Sequence, residues 1–251
     1  MGGDARRRLW AVIPAAGIGR RMAADRPKQY LDLAGRPVIE WSLRRLLGHP
    51  RVDGVVVAVA DDDGYWPAVS AAVLASLDPA PASGPGKTLH RVPGGAERCH
   101  SVLSALDFLS GPGGPADADD RVLVHDAVRP CLTEAELDRL LETGLDHPHG
   151  ALLAMPVRDT LKRGNGAGVE ATVDRDGLWH AQTPQLFPLR LLRDALTAAV
   201  AAGTAVTDEA QAVEAAGGRP LLVEGEATNL KVTHQADLRL AAAILNGGVL
   251  R

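Results

Sequence analysis

Residues 9–22 of the chain read LWAVIPAAGIGRRM, and this stretch indicates the fold class. The apolar run Leu9–Ile13 predicts a β-strand that ends at Pro14. The small residues that follow allow a turn in which backbone N–H groups close around a phosphate. We therefore predict a strand followed by a loop that is able to close on a phosphate.

Short apolar runs alternate with longer amphipathic runs along the rest of the chain. Further strands are predicted over Val55–Ala60, Thr88–Val92, Val122–His125, Ala151–Val157 and Pro220–Val223. Helices are predicted over Pro37–Leu47, Trp66–Leu77, Glu97–Leu109, Thr133–Leu145, Leu189–Ala202, Asp208–Ala216 and Gln235–Leu245. This alternation is typical of a mostly parallel, twisted sheet with helices on both faces, whose binding sites lie at the carboxyl ends of the strands.

One stretch, Arg158–His180, interrupts the alternation. It is polar and rich in glycine, and only Val169–Val173 shows a weak strand pattern. We interpret it as an extended β-arm, a kind of element that often joins two copies of a chain.

The composition excludes several classes of protein. The 251 residues include 27 Lys and Arg against 31 Asp and Glu, which argues against non-specific binding to nucleic acid. No apolar run approaches the roughly 20 residues of a membrane helix. Cys99 and Cys131 are the two cysteines, so a disulfide framework is excluded and a reducing cytoplasm is predicted. Residues 1–8 are predicted to be a disordered leader before a single domain over 9–251.

The first loop does not match the two most familiar phosphate-binding motifs. A P-loop needs GxxxxGK[ST], which is absent, and the dinucleotide fingerprint needs a third glycine where Met22 stands. The loop instead carries Arg20, Arg21 and, slightly later, Lys28. These charges are either solvated in a turn or hold a phosphate. Because the chain has only four lysines, a lysine at this strand end favours the second interpretation.

Several strand-end segments together resemble the 2-C-methyl-D-erythritol 4-phosphate cytidylyltransferases, a family of sugar-phosphate nucleotidylyltransferases. The segments are PAAGIGRRM (14–22), PKQY (27–30), GGAER (94–98), VHDAVRP (124–130), PVRDT (156–160), VDRDGLWHAQTPQ (173–185), TDEA (207–210) and NLKVT (229–233). They occur in order from about residue 9 to residue 245.

The resemblance implies a Rossmann-like nucleotidyltransferase fold and a reaction. The family transfers the cytidylyl group of CTP to 2-C-methyl-D-erythritol 4-phosphate in the non-mevalonate isoprenoid pathway. The products are 4-diphosphocytidyl-2-C-methyl-D-erythritol and pyrophosphate. Mg²⁺ is expected as the cofactor, bound mainly through the CTP phosphates. The nucleophile is a phosphate that is largely a dianion at neutral pH, so no general base is required.

The resemblance also implies roles for individual residues. Arg21 and Lys28 match the cations that stabilise the transition state. Asp126 is either a ligand of Mg²⁺ or ribose, or a structural residue that caps the following turn. The nucleotide is expected to contact Ala15, Ala16, Gly17, Gly19, Gly95 and Ser101. The sugar phosphate is expected to contact Arg129, Thr160, Arg175 and Lys231.

Three points stay open at this level. Ala96 stands where the family commonly has Asp, which matters for base selectivity only if a carboxylate acts there. The arm is expected to form a homodimer and to bring residues to the neighbouring site. The alternatives are a ribitol-5-phosphate cytidylyltransferase, which shares the glycine loop, and a nucleotide-binding regulator without turnover, against which Arg21, Lys28, Arg175 and Lys231 argue.

Overall fold

The computed structural model describes residues 6–17, 26–77 and 86–247. The strands are β1 (Leu9–Pro14), β2 (Asp32–Leu33), β3 (Arg36–Pro37), β4 (Gly54–Val59), β5 (Thr88–Pro93), β6 (Arg121–Val124), β7 (Ala151–Pro156), β8 (Leu161–Asn165), β9 (Gly168–Val173), β10 (Trp179–Pro188) and β11 (Leu221–Glu224). The helices are α1 (Val38–Gly48), α2 (Trp66–Leu74), α3 (Arg98–Ser110), α4 (Glu134–Gly144), α5 (Leu189–Ala201), α6 (Glu209–Ala215) and α7 (Gln235–Asn246), and Lys28–Tyr30 forms a single 3₁₀ turn.

Seven strands form the central sheet in the order β11-β7-β10-β6-β1-β4-β5. All of them run in one direction except β10, which is antiparallel to both β6 and β7. The predicted mostly parallel, Rossmann-like α/β fold is therefore confirmed. Because the parallel strands end at the same edge, their loops converge there.

The antiparallel strand β10 is not predicted by the sequence pattern. Its sequence contains two prolines and a run of polar residues, a composition that indicates a loop, and proline cannot donate a hydrogen bond to a neighbouring strand. The structure accommodates Pro184 through a register shift between Ala181 and Gln185 in the pairing with β7. The strand thus occupies the middle of the sheet although four of its ten residues are polar.

The core forms two layers, one on each face of the sheet. Successive side chains of a strand point to opposite faces. On β1, Leu9, Ala11 and Ile13 pack with α1, α2 and α4, whereas Trp10 and Val12 pack with α3, α5 and α6. Burial on both faces explains why the strands read as continuous apolar runs. A smaller cluster joins α7 to β2 and to the loop after β6.

The predicted arm is a hairpin. Strands β8 and β9 pair with each other in antiparallel register and form a separate two-stranded sheet. The base of the arm continues into β10, whose first residues pair with β7.

The N-terminal segment makes contacts from Arg6 onward. Arg6, Arg7 and Arg8 each form an ion pair with an aspartate. The remainder of the predicted leader, residues 1–5, lies outside the described residues. In the parts of the chain that the structure describes, no helix has the length and apolar character needed to cross a membrane.

Candidate active site

A cavity of about 640 Å³ opens at the carboxyl ends of β1, β5 and β6. Such a cavity has the size expected for a small-molecule site. Four segments line it together with Lys231: residues 14–17, 28–29, 95–98 with Ser101, and 126–128. The structure therefore brings together eight of the predicted site residues, namely Ala15, Ala16, Gly17, Lys28, Gly95, Ser101, Asp126 and Lys231. Gly19, Arg20 and Arg21 lie outside the described residues.

The loop after β1 is held in place by backbone contacts and by one buried side chain. The amide of Ala15 donates to the carbonyl of Ala58 at 2.7 Å. The Nε2 of the buried Gln29 donates to the carbonyl of Ala15, also at 2.7 Å. The next residue, Tyr30, is buried and donates its hydroxyl to Asp63 at 2.7 Å. Lys28 therefore extends into the cavity from a turn that is fixed by its two following neighbours.

The loop after β5 closes on the first residues of α3. The amide of Gly95 donates to the Oγ of Ser101 at 3.0 Å, and that hydroxyl donates to the carbonyl of Glu97 at 3.3 Å. Ser101 is only 3% exposed, so it is not a serine on the helix surface. It fixes the loop whose backbone faces the cavity.

Gly94 allows the loops after β1 and β5 to approach each other. An ideal Cβ on this glycine would lie 2.2 Å from the Cβ of Ala16. A methyl group here must therefore separate the two loops, and such overpacking costs about 1–3 kcal/mol.

If these loops bind CTP, as the resemblance implies, we predict that Gly94→Ala raises the KM for this nucleotide about tenfold, because the added methyl group forces the two loops apart. Steady-state kinetics at saturating acceptor measures this change. Gly64→Ala is the matched control, since a Cβ there meets nothing within 4 Å. An unchanged KM in the Gly94 variant would show that the spacing of these loops does not affect nucleotide binding.

Asp126, directly after β6, contacts three cations. Its Oδ1 accepts from the Nε of Arg98 at 3.0 Å, its Oδ2 lies 2.8 Å from the Nζ of Lys231, and the Nε of Arg129 lies 3.7 Å away. Burial raises the pKa of Asp126, but the positive charges of Arg98, Lys231 and Arg129 lower it by more. The carboxylate is therefore ionised and holds Lys231 at the cavity.

Arg98 also forms two bonds to a carboxylate on another element. Its Nη1 and Nη2 donate to the two oxygens of Glu209 at 2.6 and 3.0 Å. Burial lowers the pKa of Arg98, and the two carboxylates raise it by more, so the guanidinium stays charged. Sequence reasoning gives no role to Arg98 or Glu209, although both lie in segments that carry the family resemblance.

A chain of buried hydrogen bonds lies beneath Asp126. The amide of Asp126 donates to the Oγ1 of Thr183 at 3.0 Å, and Thr183 lies 3.1 Å from the Nδ1 of His125. The Nε2 of His125 lies 3.1 Å from the carbonyl of Arg129. A carbonyl only accepts, so Nε2 carries the proton and Nδ1 accepts from Thr183. Burial lowers the pKa of His125 to about 4, and the ring is neutral at pH 7.

Comparison with known proteins agrees with this geometry. The family model for 2-C-methyl-D-erythritol 4-phosphate cytidylyltransferase matches residues 9–247. A curated protein of that name from Halorhodospira halophila is 65% identical over 239 residues, which cover 95% of this chain and 94% of the relative. Another from Pseudomonas aeruginosa PAO1 is 54% identical over 231 residues, with 92% and 93% covered. The chain belongs to this family.

Solved structures of the same family are also similar. A 4-diphosphocytidyl-2C-methyl-D-erythritol synthase superposes with a TM-score of 0.80 at 38% identity, covering 96% of this chain and 99% of that one. The 2-C-methyl-D-erythritol 4-phosphate cytidylyltransferase of Thermus thermophilus gives a TM-score of 0.71 at 33% identity, with 94% and 98% covered. The chain is accordingly a nucleotidyltransferase of the cytidylyltransferase type.

Within this cytidylyltransferase, three of the predicted substrate contacts do not line the cavity. Arg129 is buried below it, where its Nη1 donates to the carbonyl of Asn229 at 2.6 Å. Thr160 and Arg175 are exposed on the arm, and Arg175 donates to the carbonyl of Arg158. Arg129 thus fixes the loop that carries Lys231, whereas the two arm residues lie outside the lining of their own cavity.

Proposed function

We propose that this chain transfers the cytidylyl group of CTP to 2-C-methyl-D-erythritol 4-phosphate, as the names of its relatives state, within isoprenoid biosynthesis. The observation that carries the proposal is the presence of Lys28, Lys231 and the two nucleotide loops around one cavity. Such a cavity can hold two anions side by side.

The reaction depends mainly on electrostatic stabilisation. A phosphate oxygen of the acceptor attacks the α-phosphorus of CTP, a new P–O bond forms, and the bond to the β-phosphate breaks with release of pyrophosphate. Because the attacking phosphate has its second pKa near 6, it is largely deprotonated at neutral pH. The protein therefore has to position two anions and stabilise the charge that develops between them.

We assign the nucleotide to the loops after β1 and β5. Backbone groups of Ala15, Ala16 and Gly17, with Gly19, hold the nucleotide, and Gly95 and Ser101 complete the cytosine site. Ala96 lines the same wall and contributes through its backbone. Lys28, together with Arg21, stabilises the negative charge of the transition state.

We assign the acceptor phosphate to Lys231, with Thr160 and Arg175 as further contacts, while Arg129 acts indirectly by holding the loop that carries Lys231. Lys231 is 40% exposed and reaches the cavity from the loop before α7. Its charge is oriented by Asp126 and is available to an incoming dianion.

The residues of the cavity fit a Mg²⁺ ion that is held mainly by the triphosphate. Mg²⁺ is usually bound by one or two carboxylates in addition to substrate phosphates. Two carboxylates, Asp126 and Glu97, belong to the described lining of the cavity. Both oxygens of Asp126 already contact cations, Arg98 and Lys231, so we propose that the triphosphate itself holds the ion beside this carboxylate, where the ion would neutralise charge on the phosphates.

We propose a homodimer in which the arm, residues 158–180, packs on a second copy of the single domain 9–251. Most of the arm is exposed, and Val169 is 69% exposed, which leaves apolar surface for a partner. Thr160 and Arg175 then reach the cavity of the neighbouring subunit. Two free, buried cysteines agree with a cytoplasmic location, which we also propose.

We predict that two inactive variants complement each other in the dimer. Arg175→Ala and Lys28→Ala each remove one contact, but a mixed dimer contains one site with both residues intact. After equal amounts are mixed and allowed to exchange, about a quarter of the sites should be complete. Activity should therefore recover in proportion to this fraction of complete sites. Mixed dimers that stay inactive would place Arg175 in the site of its own subunit.

The test of the function is pyrophosphate release in the presence of Mg²⁺ and CTP. We expect release with 2-C-methyl-D-erythritol 4-phosphate and not with ribitol 5-phosphate. Release only with ribitol 5-phosphate would change the substrate and keep the mechanism. A folded protein that binds CTP and is silent with both acceptors would instead be a nucleotide-binding regulator.

A further inference from the structure

Four charged side chains of alternating sign connect the protein interior to the cavity. Glu209, at the start of α6, is 1% exposed and receives two bonds from Arg98. Arg98 donates its Nε–H to Asp126, and the second oxygen of Asp126 lies 2.8 Å from the Nζ of Lys231. The order is therefore Glu209, Arg98, Asp126, Lys231, in which Glu209 is interior and the other three line the cavity.

Each bond in this series determines the orientation of the next group. A guanidinium that is bonded twice by one carboxylate is fixed in its plane. With Arg98 fixed, its Nε–H points at Oδ1 of Asp126, which leaves Oδ2 for Lys231. Without that bond, the carboxylate of Asp126 could rotate and Lys231 would lose its anchor.

The charges of the series also balance. Glu209 compensates the positive charge of Arg98. The negative charge of Asp126 is therefore left to pair with Lys231. Arg129, whose Nε lies 3.7 Å from Asp126, adds one positive charge to the cluster. Burial raises the pKa of Glu209 although the Arg98 guanidinium opposes this, and with both carboxylates ionised the five groups present one net positive charge next to the cavity, which favours a phosphate.

A buried ion pair of this kind contributes little to stability. Removing charges from water costs several kcal/mol per ion, and the attraction between them repays this only partly. A role in orienting Lys231 explains why a bidentate pair stands at the cavity wall, with Arg98 in the lining and Glu209 behind it.

We propose that Arg98 and Glu209 are positioning residues for the acceptor phosphate: Glu209 fixes Arg98, Arg98 fixes Asp126, and Asp126 holds Lys231 at the cavity. The inference rests on the proposed function in one respect, the assignment of the acceptor phosphate to Lys231. It adds Glu209, which lies outside the cavity lining, and gives Arg98, which is part of that lining, a role through Asp126 and Lys231.

The main test variant is Arg98→Gln combined with Glu209→Gln, because it removes both charges and leaves no unpaired ion in the interior. We expect the KM for the sugar phosphate to rise at least tenfold, while the KM for CTP changes less. In a Lys231→Ala background the same pair of substitutions should have little further effect. This loss of additivity is the signature of positioning through Lys231, which a general loss of stability would not produce.

Control variants separate positioning from folding. On the protein surface, the Nε of Arg193 lies 2.8 Å from Asp107 in a similar ion pair. Arg193→Gln removes this pair and should leave both KM values unchanged. Circular dichroism and thermal unfolding check that each variant is folded. If the double variant does not fold, Glu209→Gln alone keeps an acceptor oxygen for Arg98 and should raise the KM for the sugar phosphate about threefold.

The outcomes separate the assignment of the acceptor site from the positioning role of Arg98 and Glu209. If Lys231→Ala leaves the KM for the sugar phosphate unchanged, the acceptor site has been assigned wrongly. If Lys231→Ala raises this KM, but the Arg98 and Glu209 substitutions have no effect or a fully additive one, the positioning role is overturned and the acceptor site stands.

Discussion

Lys28→Ala should lower kcat by a factor of about 10²–10³ while the affinity for CTP changes little. A cation aimed at the charge that develops in a transition state contributes about 3–4 kcal/mol to the barrier. Lys28 is suited to this role because it lines the cavity from a turn that Gln29 and Tyr30 fix. Kinetics at saturating substrates, together with calorimetric titration of CTP, separate the two quantities.

Lys87→Ala is the matched control for this experiment. Lys87 precedes β5 at the opposite edge of the sheet, where its Nζ donates to the carbonyl of His49. Its removal can reduce stability but should leave kcat unchanged. If Lys28→Ala kept a normal kcat and lost affinity for CTP instead, Lys28 would be a ground-state contact and not a transition-state cation.

Acid should destabilise the protein in the range where histidines titrate. Burial lowers the pKa of His125 to about 4, against about 6.5 in an unfolded chain. A folded state that keeps the ring neutral binds fewer protons than the unfolded state, so its stability is complete above pH 6.5 and falls as the pH approaches 4. The loss is about 3 kcal/mol. Urea unfolding at several pH values between 7.5 and 4.5 measures it.

Asp126 adds a second loss of stability at lower pH. Although burial raises its pKa, neighbouring cations lower it below the ordinary value, so stability from this group is lost only as the pH falls below about 4. His125→Gln should remove most of the loss between pH 6.5 and 4 and keep the loss below it; burial also lowers the pKa of His90, which accounts for the remainder. His180→Gln is the control, since His180 is exposed. If the stability of the His125 variant depended on pH as before, the loss between pH 6.5 and 4 would come from another group.

The sheet could be predicted largely because its parallel strands are buried on both faces and therefore read as apolar runs. β10 could not, because Gln182, Thr183 and Gln185 are polar and two prolines interrupt the strand. These polar residues are buried by partners from distant segments: Thr183 bonds His125 and Asp126, and Gln185 bonds Asp208. Such partners are visible only once the chain has folded.

The candidate site could likewise be predicted only in part. The nucleotide loops follow strand ends, so their position could be predicted from the order of the elements. The pairing of Arg98 with Glu209, separated by 111 positions, could not, because no periodicity relates the two residues. The family resemblance groups Thr160 and Arg175 with Lys231, but they lie outside the cavity lining of their own subunit, and we propose that a second subunit brings them to a site.

The continuity of the arm with β10 restricts how the length of the chain can vary between relatives. The base of the arm enters the middle of the sheet, and five residues after Trp179 the same strand contains Pro184, next to Thr183, which bonds Asp126. An insertion of one residue near the base would turn the side chains of the strand to the opposite face and remove Thr183 from Asp126. The turn around Gly166, between β8 and β9, has no such constraint, so variation in length should accumulate there.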